Sequence, residues 1–207
     1  MRTLTATAAL VLAGLLASVD AYVLRPQRWP GRVATYQVNP ANDDGLSVEA
    51  LVGAVQEAAA AWSTQATPRM TLVYGGLTST AVVARDGVSA VFFRPETNAS
   101  VMAETFVWWD GAGNLVDADG KFYDAGFRFF ATPTGCSGGD YVLDVATHEF
   151  GHVLGLRHSD VSVATMWPNL SVCGTTWRSL HADDIAGVQA QYPWPAPQAP
   201  DGLRVWP

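Results

Sequence analysis

Apolar residues at Val48, Leu51, Val52, Val55, Ala59 and Trp62 recur with the 3.6-residue period of a helix that buries one face. Ser47 precedes them as an N-cap, Glu49 suits the first turn and Pro68 stands just past the end, so the pattern predicts a helix over Ser47–Thr64. Short runs rich in β-branched and aromatic residues surround it: Arg32–Val38, Met70–Tyr74, Val88–Phe93, Val101–Trp109 and Lys121–Phe130. Each is bounded by Gly, Pro, Asn or Asp and reads as a strand. Two further helical stretches lie near Tyr141–Leu154 and Ala182–Tyr192. Strands with helices among them predict an α+β layer arrangement.

The two ends break this pattern. Arg2 followed by the uncharged run Leu4–Ala17, with small residues at Val19 and Ala21, reads as a secretory signal over residues 1–21, cleaved near Ala21. An uncleaved anchor is the alternative, but the run falls short of the about 20 apolar residues a span needs. Residues 194–207 are Pro-rich and read as a tail following a unit over 22–193. Export implies an oxidising compartment, so Cys136 and Cys173 are expected to pair; a free thiolate bound to metal is the alternative.

Composition narrows the functional classes. The 207 residues are 49% hydrophobic and 15% charged, which excludes a disordered or coiled-coil chain. With 12 Lys and Arg against 19 Asp and Glu, the net charge of −7 argues against a phosphate-binding surface and hence a nucleic-acid partner. Of only four histidines, three fall within residues 148–158.

That segment reads His148-Glu149-Phe150-Gly151-His152-Val153-Leu154-Gly155-Leu156-Arg157-His158. On a helix, positions i and i+4 share a face, so His148 and His152 can offer two imidazoles to one ion. Glu149 lies about 100° round the helix, within reach of a metal-bound water without being a ligand. Gly155 lets the chain turn at positive φ, and His158 returns as a third ligand. Three nitrogens and one open position form the pattern of a catalytic zinc rather than a structural one. Such an ion generates a nucleophilic water at neutral pH, and Glu149 would act as general base in amide hydrolysis. A secreted zinc hydrolase of cell-wall peptides, or a non-catalytic zinc-stabilised module, would need the same ligands; Glu149 argues against the latter.

The extended motif, with Ser159 after the third histidine and Met166 beyond, resembles the matrixins, the matrix metalloproteinase branch of the metzincin zinc endopeptidases. The start, Arg28-Trp29 with Ala34-Thr35-Tyr36, and the last helix, Leu180 to Gln189, look similar too. The resemblance implies a zincin-like α+β fold: a twisted, mostly parallel five-stranded sheet, three helices and an active-site cleft between upper and lower subdomains. It implies zinc on His148, His152 and His158, Glu149 as base and Met166 in a methionine turn beneath the metal. It also implies an edge strand within Val101–Trp109 that pairs with substrate, and an S1′ wall at Pro168, Asn169 and Leu170 that favours an apolar P1′ side chain. A Cys136–Cys173 bridge would tie the loop closing that pocket to the segment before the zinc helix. The expected partners are polypeptide substrates, and the chain is expected to be a secreted monomer without a stable membrane anchor.

Departures from the family pattern carry their own expectations. Trp167 stands where a tyrosine is usual, and the absence of histidine before His148 removes the ligands of a second, structural zinc. His181 is expected to cap the last helix. Asp110, Asn114, Asp117, Asp119 and Asp124 offer hard oxygens for calcium, or else form an acidic surface turn. No cysteine precedes Trp29 for a latency propeptide, so export without a zymogen is expected; cleavage at Ala17, leaving Asp20 to cap the metal, is the alternative and is disfavoured by Leu15 at the −3 position. A free N-terminus at Tyr22 is expected to pair with Asp183 or Asp184.

Overall fold

The structure is a computed structural model that describes residues 21–65, 70–98 and 100–193. The signal segment before Ala21 with Asp20, the residue Pro68 and the tail beyond Pro193 lie outside the described residues. In chain order the elements are β1 (Val23–Leu24), β2 (Val33–Val38), α1 (Val48–Gln65), β3 (Thr71–Leu77), β4 (Ala90–Arg94), β5 (Ala103–Trp109) and β6 (Leu115–Tyr123). There follow β7 (Phe129–Phe130), β8 (Asp140–Tyr141), α2 (Val142–Val153), β9 (Leu156–Arg157) and α3 (Ala182–Gln191).

The main sheet has five strands in the order β3-β2-β4-β6-β5. Its first four are mutually parallel, and β5 runs antiparallel to β6 at the edge. This is the mostly parallel five-stranded sheet with three helices that the resemblance implied. Strand β2 alternates exposed and buried side chains, and its inward Ala34, Tyr36 and Val38 meet α1 and α2 in the core. Helix α1 buries Leu51, Val55, Ala58, Ala59 and Trp62, whereas of the expected stripe Val48, at the helix start, is exposed and Val52 half-buried. Ser47 caps it, with the Ala50 N–H donating to its hydroxyl at 3.2 Å.

One expected strand is corrected. Residues Lys121–Phe130 are not continuous: β6 begins at Leu115 and ends at Tyr123, and Phe129–Phe130 form a separate short strand. The acidic stretch mistaken for a turn is strand because its carboxylates have internal partners. Asp117 and Asp119 are fully buried and accept backbone N–H groups from the loop before β4 and from the first residue of β4, those of Asp86 and Gly87 on Asp117 and of Ala84 and Ala90 on Asp119. Burial, with smaller contributions from the charges of Asp117 and Asp86, pushes the Asp119 carboxyl up to about 6.

Helix α2 is the pillar of the molecule. It is buried along nearly its whole length and nearly all round, as a helix passing through a core must be. Three ring groups tie it by its own carbonyls: Trp62 Nε1 donates to Thr147, Trp29 Nε1 to Val153 and the Tyr192 hydroxyl to Leu154, at 2.7–2.9 Å. Gly151 lets α2 approach its neighbours closely, since a Cβ there would lie 2.2 Å from Met166 Sδ and 2.8 Å from the Trp62 ring. Gly151→Ala is expected to lower the unfolding free energy by about 1–3 kcal/mol through overpacking, measured by denaturant titration.

Candidate metal centre and cleft

Helix α2 carries His148 and His152 on successive turns with Glu149 next to the first, and the chain then reverses at Gly155, whose φ is +94°. A side chain at Gly155 would also strike Gln191 and the Gln27 carbonyl. After this turn β9 pairs with β1, and His158 points back at the helix. The three ring centroids lie 4.8, 5.2 and 4.9 Å apart. His152 Nε2 and His158 Nε2 stand 3.3 Å apart. Two nitrogens each about 2.0–2.1 Å from a tetrahedral zinc are separated by about 3.3–3.4 Å, so the donor set fits that ion. Among the described residues this is the one cluster of three or more His, Cys, Asp or Glu side chains placed to hold a metal.

The protonation state suits ligation. A carbonyl can only accept, so His148 Nδ1 donates to the Thr165 carbonyl at 2.7 Å and His152 Nδ1 to that of Leu156 at 2.8 Å. Each ring thus turns an unprotonated Nε2 towards the centre. Burial holds His148 well below the ordinary imidazole range and His152 down to about 4, and His158 is lowered by the same cause.

Glu149 points towards the edge strand. Its Oε2 accepts the Thr105 hydroxyl at 2.6 Å, and burial pushes its carboxyl up to about 7. The Thr105 bond opposes that rise and the Glu104 charge adds to it.

Beneath the histidines, Met166 is buried against Gly151, and Asp184 holds the turn that carries it. Asp184 accepts the N–H groups of Thr165, Met166 and His181 at 2.8, 3.0 and 2.8 Å. Its neighbour Asp183 accepts the N–H groups of Ala21 and Tyr22 and the Ser159 hydroxyl. Of the two aspartates named for the N-terminus, Asp183 therefore faces the start of the described chain and Asp184 serves the methionine turn. His181 caps α3 as expected, accepting from Asp183 N–H.

The histidines, Glu149, Val145, Pro168 and Trp177 line a cleft of about 700 Å³ with the strand β5 along its other wall. Pro168, Asn169 and Leu170 continue into an adjoining hollow of about 330 Å³. Trp177 was not legible in the sequence: its indole stacks on His148, with centroids 4.3 Å apart and planes 24° apart. The loop bearing it is pinned twice. Cys136 and Cys173 form the expected disulfide. Arg178 forks onto the buried Asp144, Nε and Nη2 donating to Oδ2 at 2.9 and 2.5 Å. Asp144, one turn before His148, was the only visible signal of that pair, as a carboxylate inside an apolar helix.

The five calcium candidates do not come together, which corrects that expectation of one site. Asp110 and Asn114 bond each other within their own turn, Asp117 and Asp119 hold the loop before β4, and Asp124 accepts the Asp43 N–H. A strand rises about 3.3 Å per residue, so the turn before β6 and Asp124 after it are separated by its length.

A mostly parallel sheet flanked by helices, with His-Glu-x-x-His on a buried helix and a third histidine beyond a glycine turn, defines a zinc metallopeptidase scaffold. The matrixin family model matches residues 28–193, and the chain belongs to the matrixin family. It is 31% identical to mouse matrilysin over 184 residues, covering 84% of this chain and 63% of that protein. It is 46% identical to human neutrophil collagenase over 69 residues, 33% of this chain and 15% of the relative. With rabbit macrophage metalloelastase it shares 25% identity over 181 residues, 84% of this chain and 37% of the relative. The chain thus spans less than two thirds of the length of each.

Asp184→Ala would orphan the buried N–H groups of Thr165 and Met166 and the part-buried one of His181, and release the turn that orients His148. The expected loss is about 3 kcal/mol or more in denaturant unfolding, with weakened zinc retention on dialysis against a chelator.

Proposed function

We propose that this chain is a secreted zinc-dependent endopeptidase whose general base is Glu149. The observation carrying the proposal is the Glu149 carboxylate, perturbed towards neutrality and oriented by Thr105, beside three imidazoles spaced for one ion. His148, His152 and His158 would hold zinc, which supplies a Lewis acid for a peptide carbonyl and acidifies water there. Glu149 takes the proton of the attacking water and passes it to the leaving amine. Thr105 keeps that carboxylate turned to the cleft.

The exposed edge of β5 supplies main-chain partners for an extended polypeptide. An antiparallel addition is the better-bonded one. Strand β5 starts beside Met102 and Pro168 and runs away from them, so the substrate would enter at the His158 end and leave past Pro168. The residue after the scissile bond then meets the recess between Val145, His148 and Pro168. Trp177 stacks on the face of His148 there and takes up part of this recess. The apolar P1′ preference is accordingly for small side chains.

Residues 22–193 form the catalytic unit of this reading. The disulfide and the apolar N-terminal stretch support export, and no helix among the described residues is long and apolar enough to cross a membrane.

Glu149→Ala is expected to lower kcat by about 10²–10⁴-fold while one equivalent of zinc is still bound, measured by peptide hydrolysis beside metal analysis. Cleavage by the mutant at the parent rate would end the proposal. In a peptide library the parent should favour Ala or Gly at P1′ over Leu, and Trp177→Ala should shift the profile towards Leu. A parent profile dominated by Leu or Phe would exclude a recess reduced by Trp177.

A further inference from the structure

Among the described residues, neither of the two guanidinium groups at the entry end of the cleft has an acidic partner. Arg25 directly follows β1 and Arg157 ends β9. The pairing of those strands, with Val23 opposite Arg157 and the Arg25 N–H donating to the Gly155 carbonyl, brings both to the cleft wall beside His152 and His158. Arg157 is near enough for its charge to act on Arg25. Arg25 Nε is buried and has no hydrogen-bond partner among the described residues. The ion pairs among the described residues join Arg94 and Lys121 to Glu96 and Arg178 to Asp144, and neither cleft arginine takes part. The cleft's own carboxylates are engaged elsewhere, Glu104 with the Tyr123 hydroxyl and Glu149 with Thr105.

A buried cationic N–H left unpaired is costly, and two like charges side by side add to that cost. An incoming carboxylate relieves both, and the guanidinium fork matches carboxylate geometry. We propose that Arg25 and Arg157 form a subsite for the carboxylate of an aspartate or glutamate in the polypeptide substrate, within the three residues on the amino-terminal side of the scissile bond. The proposal rests on the endopeptidase reading and on the antiparallel direction of the substrate, which puts the amino-terminal half at this end. The substrates are thus acidic upstream of the cut, even though the protein itself carries net negative charge.

The test uses peptides of one neutral sequence with Glu or its isostere Gln at each of the three positions before the cut. Turnover is read as kcat/KM with the zinc-loaded chain, and binding as fluorescence anisotropy with zinc-loaded Glu149→Ala. At one position Glu should be favoured over Gln by about 10-fold or more in both readouts. The ratio should shrink as NaCl is raised. It should approach one in the Arg25→Gln/Arg157→Gln double variant, and also in Arg157→Glu, where the new carboxylate at this exposed position pairs with Arg25 in the substrate's place. A ratio of one in the parent, or a Glu preference that survives the double variant, overturns the subsite. A Glu preference in binding without cleavage of any peptide upholds the subsite and refutes the endopeptidase reading.

Discussion

A single buried carboxylate, Asp184, organises the centre of this molecule. It gathers the N–H groups of Thr165, Met166 and His181, and so joins the start of α3 to the turn beneath the histidines. Thr165 passes that constraint on, because its carbonyl receives Nδ1–H of His148. Three hydrogen bonds to one charged group in a dry interior are each stronger than a neutral bond. Burial drives the Asp184 carboxyl upwards and these N–H groups hold it back. The direction in which an imidazole presents its lone pair is therefore decided two bonds away from the ring.

The same logic governs the walls of the cleft. Asp144 is fully buried, and Arg178 answers it with its side chain and its own backbone N–H. Removing either partner would leave an uncompensated charge, so the pair fixes where the loop must lie. The Cys136–Cys173 bridge closes the same loop from its other end. Trp177 is held between these two anchors, directly on the face of His148. On the far side of the sheet, Asp117 and Asp119 hold the loop before β4 by its N–H groups. Carboxylates and backbone amides thus do the fastening throughout, which agrees with a sequence that is acidic overall and sparing in lysine.

Much of this was legible beforehand. The period of α1, the cap at Ser47, the glycine turn at Gly155 and the cap at His181 are local matters, settled by residues a few positions apart. The spacing of His148 and His152 works because a helix repeats itself, and Gly155 needs only its own φ. The strand β6 was misjudged because Asp117 and Asp119 look like turn residues until the loop they bind is known. Their scatter as calcium ligands has the same origin, since each finds a different backbone partner.

The sequence by itself determined the chemistry on offer: two imidazoles and a carboxylate at helical spacing, a glycine to reverse the chain, a third imidazole beyond it and two cysteines to pair. These follow from backbone geometry over one or two turns. Only the tertiary structure decided how the cleft is shaped and charged. Trp177 reaches His148 across 29 residues of chain, Thr105 reaches Glu149 across 44, and Arg25 stands beside Arg157 through a two-residue sheet. Those meetings depend on where whole elements pack, and no local preference of tryptophan, threonine or arginine encodes them.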